Sequence, residues 1–212
     1  MLKIGDLKLY SNYQDLVVLG DSVFDNQVYL EHGQNSVKDH FEKKLLPLNF
    51  NLDHRAIDGS IIHDVYSQLT VRPIISPSIF VLSIGGNDAL TYANQNELLE
   101  MNLFDFYEMR ENFRTQYAHL LDAILEYTKQ LIICTIYNPK FEDPVLQKIA
   151  ETGLSFFNDV IIEEAMRRKI YVIDLRDVCS DRCAFANPIE PSEHGGDLIT
   201  SEIIRVMSKT YQ

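Results

Sequence analysis

Three short turns in the chain carry residues able to do chemistry together. Gly20-Asp21-Ser22 closes the apolar run DLVVLG, Gly59 precedes the helical pattern SIIHDVYSQL, and Gly85-Gly86-Asn87-Asp88 follows the run SIFVLSI. A serine displayed on a sharp turn is a nucleophile in need of a base, and glycine permits the turn. The Asn87 amide and the Gly59 N–H can both donate to an oxyanion, and a helix starting just after Gly59 adds a potential that favours negative charge. Taken singly, each is as readily a plain turn, because Gly, Asp, Asn and Ser are common turn residues. Their placement after successive candidate strands makes them one site.

The elements that must position these turns are legible as alternating patterns. Continuous apolar runs at 15–20, 78–86, 130–138 and 169–175 read as buried strands, with NFNLDHRAI at 49–57 as a weaker fifth. Helical spacing appears at 36–46, 60–69, 104–129 and 144–168, and the tail at 196–209 reads as a closing helix. Strand and helix alternate, so the class is α/β with a mostly parallel sheet covered on both faces. In such a sheet ligands bind beyond the carboxyl ends of the strands, where Ser22 and Asn87 stand. Phe104, Phe106, Tyr107, Phe113 and Tyr117 could line an acyl pocket, but their helical spacing favours packing on the sheet.

LGDSVFDN, AIDGSIIHDV, IGGNDAL and PIEPSEHGG, in that order, resemble the sequence blocks of the SGNH (GDSL-type) hydrolase superfamily. The resemblance runs from about Asp15 to Ile204. It implies a three-layer α/β/α sandwich, flavodoxin-like, around a roughly five-stranded parallel sheet. It also implies Ser22 as nucleophile, with an oxyanion hole from the Ser22 N–H, the Gly59 N–H and the Asn87 side chain. Cleavage of esters, including acyl lipids, thioesters and acetylated sugars, follows from the resemblance, with no metal or organic cofactor.

The last block departs from the family pattern of an aspartate followed three residues later by histidine. Fixing the register on Gly196 puts Asn187 at the aspartate and Glu190 at the histidine. A shifted register instead makes His194 the base and Glu190 its orienting acid. If the chain is already helical there, four residues move a side chain about 6 Å along the axis. Glu190 as base needs burial to raise a pKa ordinarily near 4.3. The expected mechanism is an acyl-enzyme on Ser22, with His194 and Glu190 completing a rearranged relay. Asp21 and Asp88 are expected to fix loop geometry. The remaining histidines, at 32, 40, 54, 63 and 119, have no matching acid motif, and only His63 falls at the right end of the sheet.

Composition narrows the alternatives. A chain of 212 residues with 46% apolar residues and no linker or repeat reads as one domain over 1–212. A net charge of −12 disfavours nucleic acid and anionic membrane surfaces. Lys43-Lys44 and Arg167-Arg168-Lys169 read as solvated helix faces. No segment has the length of a membrane span or of a signal-peptide core, which reads as a cytoplasmic protein. Cys134, Cys179 and Cys183 fit plain thiols better than a metal clip. The expected partner is a small-molecule ester. A second reading keeps the cleft for binding an acyl or glycan ligand without efficient turnover, and Asn187 and Glu190 carry it.

Overall fold

The computed structural model describes residues 15–74, 77–92 and 102–210. The segment 1–14, read above as lacking a leader, lies outside the described residues. The strands are β1 (Asp15–Gly20), β2 (Asn51–His54), β3 (Ser78–Ser83), β4 (Leu131–Cys134) and β5 (Tyr171–Ile173). All pair in parallel in the order β2-β1-β3-β4-β5, with Leu16 beside Leu52 and Ile79, and Ile132 beside Val81 and Tyr171. The fifth strand is therefore present, although shorter than its run. Asn49 and Lys169 adopt left-handed conformations just outside β2 and β5, so pairing begins only after them.

Between the strands run helices α1 (Val37–Leu45), α2 (Ile62–Thr70), α3 (Gly86–Leu90), α4 (Leu103–Tyr127), α5 (Pro144–Arg168), α6 (Leu175–Val178) and α7 (Glu193–Thr210). Period-two alternation sends Leu16, Val18, Ile79 and Val81 to one face, where they pack with α1 and α7. Val17, Leu19, Phe80 and Leu82 go to the other face and pack with α2, α4 and α5. The result is an α/β/α sandwich. Ser36 starts α1, its hydroxyl accepting from the Asp39 N–H, and Asp143 caps α5 in the same way. The basic pairs do not form a patch: Lys44 bonds Asp197 at 2.7 Å, and Arg168 bonds Glu164 and Asp122. Cys134 and Cys179 are buried and Cys183 exposed, all as free thiols.

The closing helix starts three residues earlier than its pattern indicates. Ser192 caps it, its hydroxyl accepting from the Gly195 N–H at 3.1 Å, so Gly195 and Gly196 are helical rather than loop residues. A side chain at 195 would place its Cβ 2.1 Å from the Ala184 carbonyl oxygen. These glycines thus serve close packing and not chain flexibility. No helix among the described residues is long and apolar enough to cross a membrane.

Candidate active site

Strand order reverses between β1 and β3, the place where an open parallel sheet leaves a crevice at its carboxyl end. Ser22 follows β1 and Asn87 follows β3, so the two flank that crevice. The turn that carries Ser22 is held by the neighbouring strand and by α2. Asp21 donates its N–H to the Ser83 carbonyl at 3.3 Å. Gln68, buried on α2, accepts from the Gly20 N–H at 2.9 Å and donates to the Gly20 carbonyl at 2.8 Å. The same amide donates to the Ser60 hydroxyl at 3.2 Å, tying the Gly59 turn to the serine turn.

Asn87 lies in the first turn of α3, a helix with no signal in the periodicity because it is one turn long. Its amide donates to the Ser60 carbonyl at 2.9 Å, which fixes the side chain and leaves its second N–H for another acceptor. Asp88 accepts from the Ile62 N–H at 3.2 Å and so caps α2, the geometric role expected of it. Gly59 sits at φ 78° on an exposed turn closed by the Ser60 N–H on the Ile57 carbonyl. Ser22, Asn87 and Glu190 line one largely apolar cavity; Gly59 and His194 are not among its lining residues.

Glu190 reaches the cavity of Ser22 because its loop is tied at several points. Asn187 Oδ1 accepts from the N–H groups of Ile189 and Glu190, each at 2.9 Å, an Asx turn that aims Glu190 inward. Tyr137 donates its hydroxyl to the Ile189 carbonyl at 2.6 Å. Asn26, wholly buried four residues after Ser22, donates to the Pro191 carbonyl at 2.9 Å and accepts from the Val37 N–H at 2.9 Å. Thus the segment that follows Ser22 holds the last block directly. Gln68 and Asn26 escape a reading by motif; the available signal is a polar residue at a buried position.

Ser22 and Glu190 are both buried, at 7% and 6% exposure, and line the same cavity, where the Ser22 side chain favours the charged form of the Glu190 carboxyl. Oε2 of Glu190 is buried with no hydrogen-bond partner. Burial raises the Glu190 pKa to about 7, the serine hydroxyl opposing the shift and Asp58 adding to it. Asp21, buried in the lining of the same cavity, is pushed up to about 8, chiefly by burial, then by repulsion from Glu190 and Asp88, against the hydrogen bond it accepts from the Val23 N–H. His194 stands exposed in the first turn of α7. Ser192 has already begun the helix there, and the His194 side chain acts on Asp197 of the following turn. The two candidates for the base are therefore not brought together: Glu190 lines the cavity with Ser22, and His194 lies outside its lining.

The other histidines are also outside the cavity lining. His54 bonds the Phe24 carbonyl at 3.1 Å, His40 faces Asp197 at 3.5 Å, and those at 32, 63 and 119 are exposed. The aromatic stripe of α4 divides. Phe113 and Tyr117 pack in the core as expected, Phe106 lines the cavity, and Phe104 and Tyr107 are exposed.

Asp21 gives a stability prediction. Its folded pKa lies above its unfolded value near 3.9, so its favourable contribution is full below about pH 4 and is lost as pH rises through about 8. Asn at this position keeps an acceptor for the Val23 N–H and has no charge to bury. Asp21→Asn is expected to match wild type near pH 4 and to gain at least about 2 kcal/mol by pH 8, roughly 4–8 °C in Tm. Thermal melts across pH 4–8 check this; a constant difference at all pH values would contradict it.

Comparison with known proteins agrees with this architecture. No curated protein sequence matches the chain. Among solved structures, a lipolytic G-D-S-L family protein from Veillonella parvula has a TM-score of 0.69 at 15% identity, over 92% of this chain and 99% of that one. A phospholipase A1 from Streptomyces albidoflavus gives 0.67 at 14% identity, over 90% and 99%. An acetylxylan esterase from Geobacillus stearothermophilus gives 0.67 at 13% identity, over 96% and 97%. At these identities the likeness speaks for the fold. A family model matches residues 18–195, which span the serine turn, the Asn87 turn and the Glu190 loop, and the chain belongs to the GDSL-like lipase/acylhydrolase family.

Proposed function

We propose that the protein is a serine ester hydrolase working through an acyl-enzyme on Ser22, with Glu190 as the base. The observation that carries this reading is the buried Glu190 carboxyl, one oxygen of it unpartnered, lining the same apolar cavity as the buried Ser22. Family membership and the likeness to an acetylxylan esterase and a phospholipase A1 support ester cleavage. Ser22 Oγ attacks the acyl carbon while its proton passes to Glu190. The oxyanion is held by Asn87 and by the Ser22 N–H, while Gly59, outside the cavity lining, is left without the donor role the resemblance implies. Collapse expels the alcohol, which takes the proton back from Glu190. Water then attacks the acyl carbon, gives Glu190 a proton, and the acid leaves as that proton returns to Ser22.

Two features favour Glu190 over His194 for this role. An unpartnered buried oxygen is what a base needs for the proton it accepts, and a pKa near 7 makes transfer in both directions efficient at neutral pH. His194 is exposed and outside the cavity lining, so the relay expected from the shifted register gives way to a single carboxylate held by Asn187.

The pH dependence of aryl acetate hydrolysis tests the reading. Ionised Glu190 is the active form, so kcat/KM is expected to climb about tenfold per pH unit until about pH 7. Above about pH 8, ionised Asp21 adds a negative charge beside the oxyanion, and kcat/KM is expected to fall. An acid limb centred near the ordinary glutamate value of about 4.3 would show that Glu190 is unshifted. A limb near 7 that survives Glu190→Gln would remove Glu190 from the role.

A further inference from the structure

The N-terminal half of α5 carries an apolar face that the protein core does not cover. Leu146, Ile149, Ala150, Gly153, Leu154 and Phe157 recur at helical spacing and all line the cavity that contains Ser22. Phe157 alone among them is buried; the others are partly open. Phe106 and Met109 of α4 form another part of the same lining. The polar groups of the cavity gather around Ser22, Asp21, Asn87 and Glu190, so one continuous space joins the reactive end to an apolar wall.

Gly153 is the unexpected residue in that wall. Glycine is the poorest helix former after proline, and mid-helix glycines usually answer to close packing. Here a Cβ would meet no atom within 4 Å. Packing in the protein therefore does not call for glycine at this position, and its open side faces the cavity.

We infer that the apolar face of α5 receives the acyl chain of the ester and that Gly153 sets how long a chain the cavity admits. This rests on the hydrolase reading for its chemistry: Ser22 takes the acyl carbon, and the chain beyond it runs along α5. The substrates are then esters of medium-length, unbranched carboxylic acids in preference to acetates. The gain is about fourfold in kcat/KM for each methylene that enters the wall.

Aryl acetate, butyrate and octanoate, each hydrolysed by wild type, Gly153→Ala and Gly153→Leu, test the assignment. Wild type is expected to favour octanoate over acetate by at least tenfold. Gly153→Leu is expected to lose at least tenfold on octanoate while holding acetate within twofold; Gly153→Ala, a control for folding, is expected to retain the wild-type order. Acetate as the best substrate of wild type, an equal loss on all three esters, or an unchanged octanoate rate in Gly153→Leu would each overturn the inference. A calorimetric titration of the Ser22→Ala background with octanamide and acetamide gives a readout free of turnover. Octanamide is expected to bind and to weaken at least tenfold when Leu replaces Gly153. If that result appears while wild type shows no Ser22-dependent turnover, the hydrolase reading fails and the acyl site stands; if Leu has no effect on octanamide, the acyl site fails.

Discussion

Ser22→Ala is expected to lower kcat/KM for an aryl ester by at least about a thousandfold, and Glu190→Gln by about 10²- to 10⁴-fold. The serine variant removes the proposed nucleophile but keeps the cavity and Asn87, so a residual rate from binding and oxyanion stabilisation is expected to remain. Glutamine nearly matches glutamate in shape and can still accept from the serine hydroxyl. It cannot take the proton, so the loss it causes isolates proton transfer from packing. Steady-state rates of purified variants, with far-UV spectra confirming the fold, measure both effects. Equal rates for wild type and Ser22→Ala would leave no role for the acyl-enzyme.

Gly20→Ala is expected to destabilise the protein by at least about 4 kcal/mol, seen as a lower midpoint in urea with an unchanged slope. Gly20 has φ 140°, and a Cβ there would stand 2.0 Å from the Ser83 carbonyl oxygen, which is backbone and cannot swing aside. Relief requires β1 and β3 to part at the point where Asp21 bonds Ser83 and Gln68 clamps Gly20. Activity should therefore fall with stability, because the turn that aims Ser22 moves. Gly59 is the contrast: its φ is 78°, but nothing lies within 4 Å of a Cβ, so Gly59→Ala carries backbone strain alone, on the order of 1 kcal/mol. Similar urea midpoints for Gly20→Ala and wild type would contradict the close approach.

Much of this architecture is visible before folding is considered. β1 and β3 announce themselves because central strands covered on both faces must be apolar throughout, and their ends then locate Ser22 and Asn87. The start of α7 is not visible in the same way. Gly195 and Gly196 read locally as a flexible approach to a helix, whereas tertiary contact with Ala184 and Val37 demands the absence of side chains inside the helix. That difference places His194 outside the cavity lining. With loop at 193–196, His194 has a path to the serine; with helix from Glu193, it is fixed in the first turn and exposed. Glu190 is the opposite case. Its charge suggests the surface, and its burial depends on the Asn187 turn, the Tyr137 hydroxyl and the Asn26 tie to Pro191, contacts made across large separations in the chain. The cavity wall shows the same limit: periodicity identifies an apolar face on α5, but not that its first half borders open space.

The rate at which a fluorophosphonate modifies Ser22, followed by intact mass in wild type, Glu190→Gln and His194→Ala, shows whether Glu190 activates the serine. Modification reports attack by the serine oxygen and requires no later step. Wild type and His194→Ala are expected to be modified on Ser22 at rates within twofold of each other, and Glu190→Gln at least about a hundredfold more slowly. Modification of Glu190→Gln at the wild-type rate, or its loss in His194→Ala, would contradict Glu190 as the base.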